Sequence, residues 1–295
     1  MKKYIILLFI LAGGWFLHVE DKRNITIGIV TDVQYCSCEP NDIRFYKNSI
    51  VKLDSSIKYF NSQKLDFIAH LGDVIDRDFR SYDTILPKFK NFHAPVYYIL
   101  GNHEFNVIDS LKNKVLNKIG MQKDYYSKNI NGWKFIFLNG DELSSFYPKN
   151  KSQQTETDSL FKRLKERKKC NATPWNGGIS KEQFEWLRNE LELAQQSNQK
   201  VIVLCHFPVY PEACLNLLND DEVLKLFDNF KCVKAYFCGH NHEGEYGLKN
   251  GIHFITFKGM VETPERNSFA KVTLTADSIF VEGHGREPNR RLKIY

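Results

Sequence analysis

The chain has 295 residues, of which 42% are hydrophobic and 26% charged, with 17 glycines and 9 prolines. This is the composition of an ordinary folded protein, and it excludes disordered and collagen-like chains. Basic residues exceed acidic ones by 41 to 35, and a net charge of +6 over this length favours anionic partners only weakly. We therefore expect a single large α/β domain that acts as a monomer and has no nucleic-acid partner.

The first 24 residues predict a targeting segment. Lys2 and Lys3 precede an apolar stretch over residues 4–17, and polar chain begins at His18. The stretch is shorter than the roughly 20 apolar residues that a membrane-spanning helix needs. A cleaved signal peptide is our first prediction, with an uncleaved N-terminal anchor or a buried first helix as alternatives. We accordingly expect an exported or membrane-anchored protein, with a cytoplasmic location as the remaining alternative.

Seven cysteines are an odd number, so at least one must stay unpaired within the chain. Cys205 and Cys238 lie inside apolar runs, where a thiol behaves as a small buried hydrophobic group. No pair of CxxC motifs is present to build a zinc site. At this chain length we expect no disulfide framework.

Short apolar runs of strand length recur along the chain and alternate with helical patterns. Strands are predicted at residues 25–30, 67–71, 96–100, 135–138, 201–205, 235–238, 254–257 and 270–274. Helices are predicted at 49–61 and at 182–195, the latter with Phe184, Leu187, Leu191 and Ala194 on one stripe. Strands that alternate with helices indicate mixed or parallel sheets, and this number of strands is consistent with two sheets packed face to face.

The segment at about residues 145–173 interrupts this pattern because it is polar and basic. We interpret it as an insertion in the domain. Its basic run at residues 162–169 could bind nucleic acid, but a solvated helix face is the commoner outcome for such a run and is the one we expect.

Side chains that can bind a metal follow five of the predicted strands. They are Asp32 and Gln34, then Asp73, then Asn102, then His206, and finally His240 and His242. Strand ends border the ligand crevice of an α/β sheet, so groups far apart in sequence can converge there. The sequence therefore predicts a metal centre at this edge.

The ligand set combines carboxylate, amide and imidazole groups. It suits Mn²⁺, Fe²⁺ or Zn²⁺ better than Ca²⁺, and it is too large for one tetrahedral ion. Two divalent ions that share one carboxylate fit it better, and such pairs commonly hydrolyse phosphate esters. With two ions present the site keeps net positive charge, which suits an anionic phosphoryl group.

The order and spacing of these groups resemble the calcineurin-like metallophosphoesterase superfamily. The matching blocks are Asp32-Val33-Gln34, Gly72-Asp73-Val74-Ile75-Asp76-Arg77, Gly101-Asn102-His103-Glu104, His206 and Gly239-His240-Asn241-His242. Gln34 departs from the histidine of most members. Gln34 and the segments at 175–179, 206–211 and 259–264 make the sequence most similar to the manganese-dependent ADP-ribose/CDP-alcohol diphosphatase family.

This resemblance implies a fold and a set of residue roles. The fold would be a four-layer αββα sandwich, with two mixed sheets flanked by helices, over residues 25–295. One metal would be held by Asp32, Gln34, Asp73 and His242, and the other by Asp73, Asn102, His206 and His240. His103 would be the general acid, oriented by Asp76. Candidate substrate-binding residues are Asn176, Gly177, Gly178, Glu262 and Thr263.

The activity implied is hydrolysis of the diphosphate linkage of ADP-ribose or of CDP-alcohols such as CDP-choline, with two divalent ions, most often Mn²⁺. A phosphomonoesterase or cyclic-nucleotide phosphodiesterase on the same metals is the alternative, because metal ligands do not define the substrate. A non-catalytic scaffold is a third reading, but such proteins typically lose a ligand or the acid, and all are present here.

Overall fold

The computed structural model describes residues 23–147 and 150–294. Most of the predicted targeting segment, residues 1–22, lies outside the described residues. Within the described part of the chain, no helix combines the length and the hydropathy that crossing a membrane requires.

Twelve strands and seven α-helices are present among the described residues. The strands are β1 (Ile25–Val30), β2 (Phe67–His70), β3 (Val96–Tyr98), β4 (Tyr126–Ile130), β5 (Trp133–Phe137), β6 (Lys200–Leu204), β7 (Val233–Cys238), β8 (Glu245–Lys249), β9 (Ile252–Thr256), β10 (Ser268–Leu274), β11 (Ser278–Gly285) and β12 (Arg290–Lys293). The helices are α1 (Ser49–Asn61), α2 (Ser81–Phe89), α3 (Asp109–Lys112), α4 (Val115–Ile119), α5 (Lys151–Glu166), α6 (Lys181–Gln196) and α7 (Asp220–Phe227).

The strands form two six-stranded mixed sheets. The first has the order β12-β11-β10-β1-β2-β3, and its β1, β2 and β3 are parallel. The second has the order β4-β5-β6-β7-β9-β8, and its β5, β6, β7 and β9 are parallel. The parallel strands of each sheet all end on the same side of that sheet. The metal-binding groups follow these strand ends.

Alternating side chains explain why the sheets pack into four layers. Ile27 and Ile29 of β1 meet Phe135 and Phe137 of β5 in the core between the sheets. Side chains on the other face of each sheet, such as Val203 of β6, point away from the opposite sheet and pack beneath the helices. Because both faces of the central strands are buried, these strands appear in the sequence as continuous apolar runs. The predicted αββα sandwich is confirmed.

Helix bounds follow the amphipathic pattern and local caps. The predicted helix at 49–61 matches α1, and the one at 182–195 extends by one residue at each end as α6. Ser180 caps α6 by accepting a hydrogen bond from the backbone N–H of Gln183. Of the predicted stripe, Leu187, Leu191 and Ala194 are fully buried, whereas Phe184 is half-buried.

The polar segment that the sequence predicts to be an insertion contains α5, which buries one narrow stripe. Thr157, Leu160 and Leu164 face the body of the protein, where the two leucines pack with Leu143 and Leu218. In the basic run, residues 162, 163, 165, 167 and 168 are exposed. The expected solvated helix face is therefore what the structure contains.

The cysteines differ from the expectation. Cys205, Cys232 and Cys238 are unpaired and buried, as the apolar runs indicate. Two disulfides, Cys36–Cys38 and Cys170–Cys214, are nevertheless present, so the expectation of no disulfide framework was wrong. The expectation considered only whether the core needs support, but Cys170–Cys214 joins two loops and Cys36–Cys38 closes a turn within one loop.

Candidate metal centre

Seven candidate metal ligands from both sheets converge at the ends of the parallel strands. The first sheet supplies Asp32, Gln34, Asp73 and Asn102, and the second supplies His206, His240 and His242. All are buried except His240, which is half-buried. Residues up to 210 positions apart in sequence are thus within contact distance, as the pair His242 and Asp32 illustrates.

Asp73 lies at the middle of the cluster. Its Oδ2 is 3.0 Å from Gln34 Nε2 and 3.3 Å from His206 Nε2. Ligand atoms of Asp73, His206 and His240 all lie within 4.8 Å of one another. The backbone N–H of His103, the residue after Asn102, donates to Asp73 Oδ1 at 3.0 Å. This side of the cluster contains Asp73, His206 and His240 of the second predicted ligand group, and Asn102 precedes His103 in the chain.

The other side of the cluster is formed around His242. Its Nε2 is 3.2 Å from Asp32 Oδ1 and 3.2 Å from Gln34 Nε2. Because Gln34 also contacts Asp73, the group around His242 meets the group of Asp73, His206 and His240 at the Asp73 carboxylate. The geometry therefore has the form expected for two ions that share Asp73.

The backbone at the cluster is strained. Asp32, Gln34, Asp73 and His240 have φ values of 50°, 42°, 61° and 63°. The left-handed region is uncommon for residues other than glycine and costs roughly 1–3 kcal/mol each when the surroundings impose it. Four candidate ligands adopt it, which indicates that the loops are shaped to aim side chains inward.

Close packing explains the glycine that precedes Asn102. A Cβ atom added at Gly101 would lie 2.2 Å from Asp73 Oδ1. The side chain of any other residue at position 101 would displace the Asp73 carboxylate. Glycine is therefore needed here because it leaves room for that carboxylate.

Glu104 joins the two loops that carry Asp73 and Asn102. Its buried carboxylate accepts hydrogen bonds from the backbone N–H groups of Asp73, Val74 and Gly101. Burial and the nearby Asp73 charge raise the pKa of Glu104 to about 8. Sequence reasoning included this residue in a motif but assigned it no role.

Each histidine is oriented by a hydrogen bond on the nitrogen that faces away from the cluster. His206 Nδ1 donates to the carbonyl oxygen of Leu71 at 2.8 Å, and His242 Nδ1 donates to Glu262 Oε1 at 2.7 Å. His240 Nε2 donates to Asn176 Oδ1 at 3.0 Å. The other ring nitrogen is thereby directed at the cluster, as is usual for metal-binding histidines.

Two buried oxygens support a fit to metal ions. Gln34 Oε1 and Asn102 Oδ1 have no hydrogen-bond partner among the described residues. An unsatisfied buried carbonyl oxygen costs roughly 1–3 kcal/mol, which a bound cation would offset. Gln34 now turns Nε2 toward the cluster, and a half-turn of its amide exchanges Nε2 with Oε1.

The carboxylates retain the negative charge that divalent cations need. Burial raises the pKa of Asp32 and Asp73, but the charges of neighbouring histidines outweigh it and hold both values below the usual range. Together with three imidazoles and two amide oxygens, they form a mixed oxygen and nitrogen set that suits Mn²⁺.

His103 stands at the cluster beside Asp76, and its role as general acid stays a prediction. Its Nδ1 is 2.8 Å from the carbonyl oxygen of Asp76 and 3.2 Å from Asp76 Oδ1. Burial lowers the pKa of His103, but the charges of Asp73 and Asp76 outweigh it and raise the value to about 9. The imidazole is 16% exposed, so it can reach a bound molecule.

Whether the predicted substrate-binding residues touch substrate stays a prediction, but the structure shows what several of them contact within the protein. Asn176 binds His240 and Glu262 binds His242. Gly177 and Gly178 are buried, and a Cβ at Gly177 would lie 2.2 Å from the carbonyl oxygen of Gly140. Thr263 Oγ1 donates to the carbonyl oxygen of Arg266. These residues support the metal-binding side chains and the loops around them.

Comparisons with known proteins agree with this geometry. The family model described as calcineurin-like phosphoesterase matches residues 25–244. The manganese-dependent ADP-ribose/CDP-alcohol diphosphatase of Bos taurus is 28% identical over 325 residues, covering 93% of this chain and 96% of that protein. The Homo sapiens protein of the same name is 26% identical over 320 residues, covering 92% and 93%.

A solved structure extends the likeness to the fold. A dimetal phosphatase from Danio rerio superposes with a TM-score of 0.82 at 24% identity, covering 92% of this chain and 99% of that one. The two-sheet architecture is therefore the same. Because the family model matches residues 25–244, which are most of this chain, the chain belongs to the calcineurin-like phosphoesterase family.

Proposed function

We propose that this chain is a dinuclear metal hydrolase that cleaves the diphosphate linkage of ADP-ribose or CDP-alcohols. The products would be a nucleoside monophosphate and a phosphorylated second product. The observation that carries the proposal is the convergence of two ligand groups on Asp73, beside a histidine that can donate a proton. The names of the relatives supply the substrate class.

Two Mn²⁺ ions would be held by the two ligand groups. Asp32, Gln34, Asp73 and His242 would bind the first, and Asp73, Asn102, His206 and His240 the second. Such a pair supplies Lewis acidity for the phosphoryl group and lowers the pKa of water enough for attack near neutral pH. The chain contributes ligands that are already oriented, since Leu71, Glu262 and Asn176 fix the three imidazoles.

His103 would donate a proton to the departing oxygen. Because Nδ1 is bound to Asp76, the proton available to substrate is on Nε2. His103→Ala should lower kcat by roughly 10²- to 10⁴-fold, the usual contribution of general acid catalysis. Metal content, measured by elemental analysis, should stay at the wild-type value. An unchanged kcat would show that another group is the acid.

A substrate panel tests the activity. ADP-ribose, CDP-choline, p-nitrophenyl phosphate and a cyclic nucleotide are each incubated with the protein and Mn²⁺, with Asp73→Asn as the control for contaminating hydrolases. We expect AMP from ADP-ribose or CMP from CDP-choline. Activity confined to the aryl phosphate and the cyclic nucleotide would instead favour the alternative that the sequence left open.

We also propose that the protein is exported or anchored outside the cytoplasm. The apolar stretch at residues 4–17 supports this, and so do the two disulfides, which persist in oxidising compartments. Cell fractionation and sequencing of the mature N-terminus provide the test. A complete N-terminus on cytoplasmic protein with reduced cysteines would contradict it.

A further inference from the structure

Asn176 lies directly behind His240 and has all of its side-chain polar groups engaged. It is fully buried. Its Oδ1 accepts from His240 Nε2 at 3.0 Å, and its Nδ2 donates to the carbonyl oxygens of Asn171 and Cys214 at 2.8 Å each. Carbonyl oxygens can only accept hydrogen bonds, so the amide cannot turn over without losing both.

This amide determines which nitrogen of His240 carries the proton. With Oδ1 facing it, Nε2 must be the donor, and the neutral ring then has its lone pair on Nδ1. His240 Nδ1 is 3.2 Å from His206 Nε2, and His206 Nδ1 already donates to Leu71. When both rings are neutral, as metal binding requires, two lone pairs therefore face each other, an arrangement that a cation between them would stabilise.

A disulfide joins the two segments that hold Asn176. One acceptor carbonyl belongs to Cys214, and the other belongs to Asn171, the residue after Cys170. The Cys170–Cys214 disulfide links these segments, which are 44 positions apart. Both cysteines are exposed, so a reductant in solution can reach the bond. Asn171 also donates to the carbonyl oxygen of Leu217, which gives the segments a second, weaker link.

We propose that Asn176 is a positioning residue for the second metal ion, and that the Cys170–Cys214 disulfide keeps Asn176 aligned so that its reduction weakens binding of that ion. The inference rests on the proposed dinuclear site and extends it to redox control. The first ion depends on Asp32, Gln34 and His242 instead, so its affinity should change little.

The redox step balances with a dithiol as reductant. Two electrons and two protons from dithiothreitol break the S–S bond and leave a thiol on each of Cys170 and Cys214, while dithiothreitol closes to its cyclic disulfide. Without the covalent link the two acceptor carbonyls can move apart, and the amide of Asn176 gains the freedom to rotate.

Mn²⁺ titration of the metal-free full chain tests the role of Asn176 without any substrate. Asn176→Ala should bind the second ion 10- to 100-fold more weakly, the usual cost of losing a partner behind a metal-binding histidine. Asn176→Asp keeps an oxygen that accepts from His240 but replaces Nδ2 with an oxygen that faces two carbonyl acceptors, so it should recover only a small part of that affinity. In ¹⁵N NMR of the metal-free protein, Asn176→Ala should also shift His240 from the Nε2–H form toward a mixture of tautomers.

The disulfide is tested with a matched pair of variants. Cys170→Ser with Cys214→Ser should weaken the second ion by roughly three- to tenfold, since the Asn171–Leu217 hydrogen bond remains. Cys36→Ser with Cys38→Ser removes the other disulfide and should leave the second ion unaffected. Wild-type protein reduced with dithiothreitol, alkylated and desalted should behave like the first pair. Circular dichroism identifies any variant that fails to fold.

The outcomes separate this inference from the proposed function. An unchanged second Mn²⁺ affinity in folded Asn176→Ala would overturn the positioning role, and an unchanged second affinity in the Cys170/Cys214 variant and the reduced protein would overturn the redox control. Wild-type protein that binds two Mn²⁺ ions but hydrolyses neither ADP-ribose nor CDP-choline would instead refute the proposed substrate class alone.

Discussion

Gln34 is the candidate ligand that departs from the superfamily pattern, and its chemistry makes a prediction about metal choice. An amide oxygen is a neutral, hard donor, whereas imidazole favours Zn²⁺ and Fe²⁺. Gln34→His should therefore raise the ratio of Zn²⁺ to Mn²⁺ at the first site roughly tenfold. Elemental analysis after equilibration with equal concentrations of both metals measures this ratio. Identical occupancy and selectivity would mean that Gln34 is not a ligand.

At the scale of single residues, the sequence identified the side chains that converge but not those that orient them. Asp73 and His206 belong to motifs whose spacing and position at strand ends signal a metal. Glu262 and Asn176 were predicted to touch substrate, yet they bind His242 and His240. Their roles depend on which loop lies behind each imidazole, and that contact arises only when the loops pack.

Among the elements, burial decided which strands could be predicted. Every strand that pairs with a neighbour on both sides was predicted, with the exception of β11. The missed β4, β8 and β12 are edge strands, and their residues are largely half-buried or exposed. These three strands have fewer covered faces, and their sequences contain no continuous apolar run, whereas the edge strand β3 lies in the apolar run at residues 96–100 and was predicted.

The turn after β5 contains a buried carboxyl group that predicts a pH dependence of stability. Asp141 is fully buried, and neither of its carboxylate oxygens accepts a well-formed hydrogen bond from the described residues. Burial, helped by the charge of Asp73 and opposed by His206, raises the pKa of Asp141 to about 7. In the unfolded chain the same group titrates near pH 4.

Between these two pKa values the folded state binds more protons than the unfolded one, so the free energy of unfolding falls as pH rises. Asp141→Asn keeps the shape of the side chain and removes the titration. In the metal-free protein we expect the variant to be more stable than wild type by roughly 2–4 kcal/mol at pH 8, with little difference at pH 4. Urea unfolding in the presence of a chelator measures both values. Parallel stability curves for the two proteins would contradict the assignment.

In the molecule as a whole, the metal centre lies where the two sheets meet. Asp32 and Asp73 follow strands of the first sheet, whereas His206, His240 and His242 follow strands of the second. Ions bound between them would connect the sheets, and that connection is absent from the unfolded chain. Binding energy at the site is therefore coupled to the stability of the entire fold.

Mn²⁺ should consequently raise the melting temperature of the metal-free protein. At 100 times its dissociation constant each ion contributes about 2.7 kcal/mol, so two ions contribute about 5 kcal/mol. For a domain of this size that corresponds to a rise in Tm of roughly 10–20 °C. Differential scanning calorimetry with and without a chelator measures the shift. Asp73→Asn should lose most of it because both ions would share that carboxylate, whereas a full shift in this variant would show that Asp73 does not bridge them.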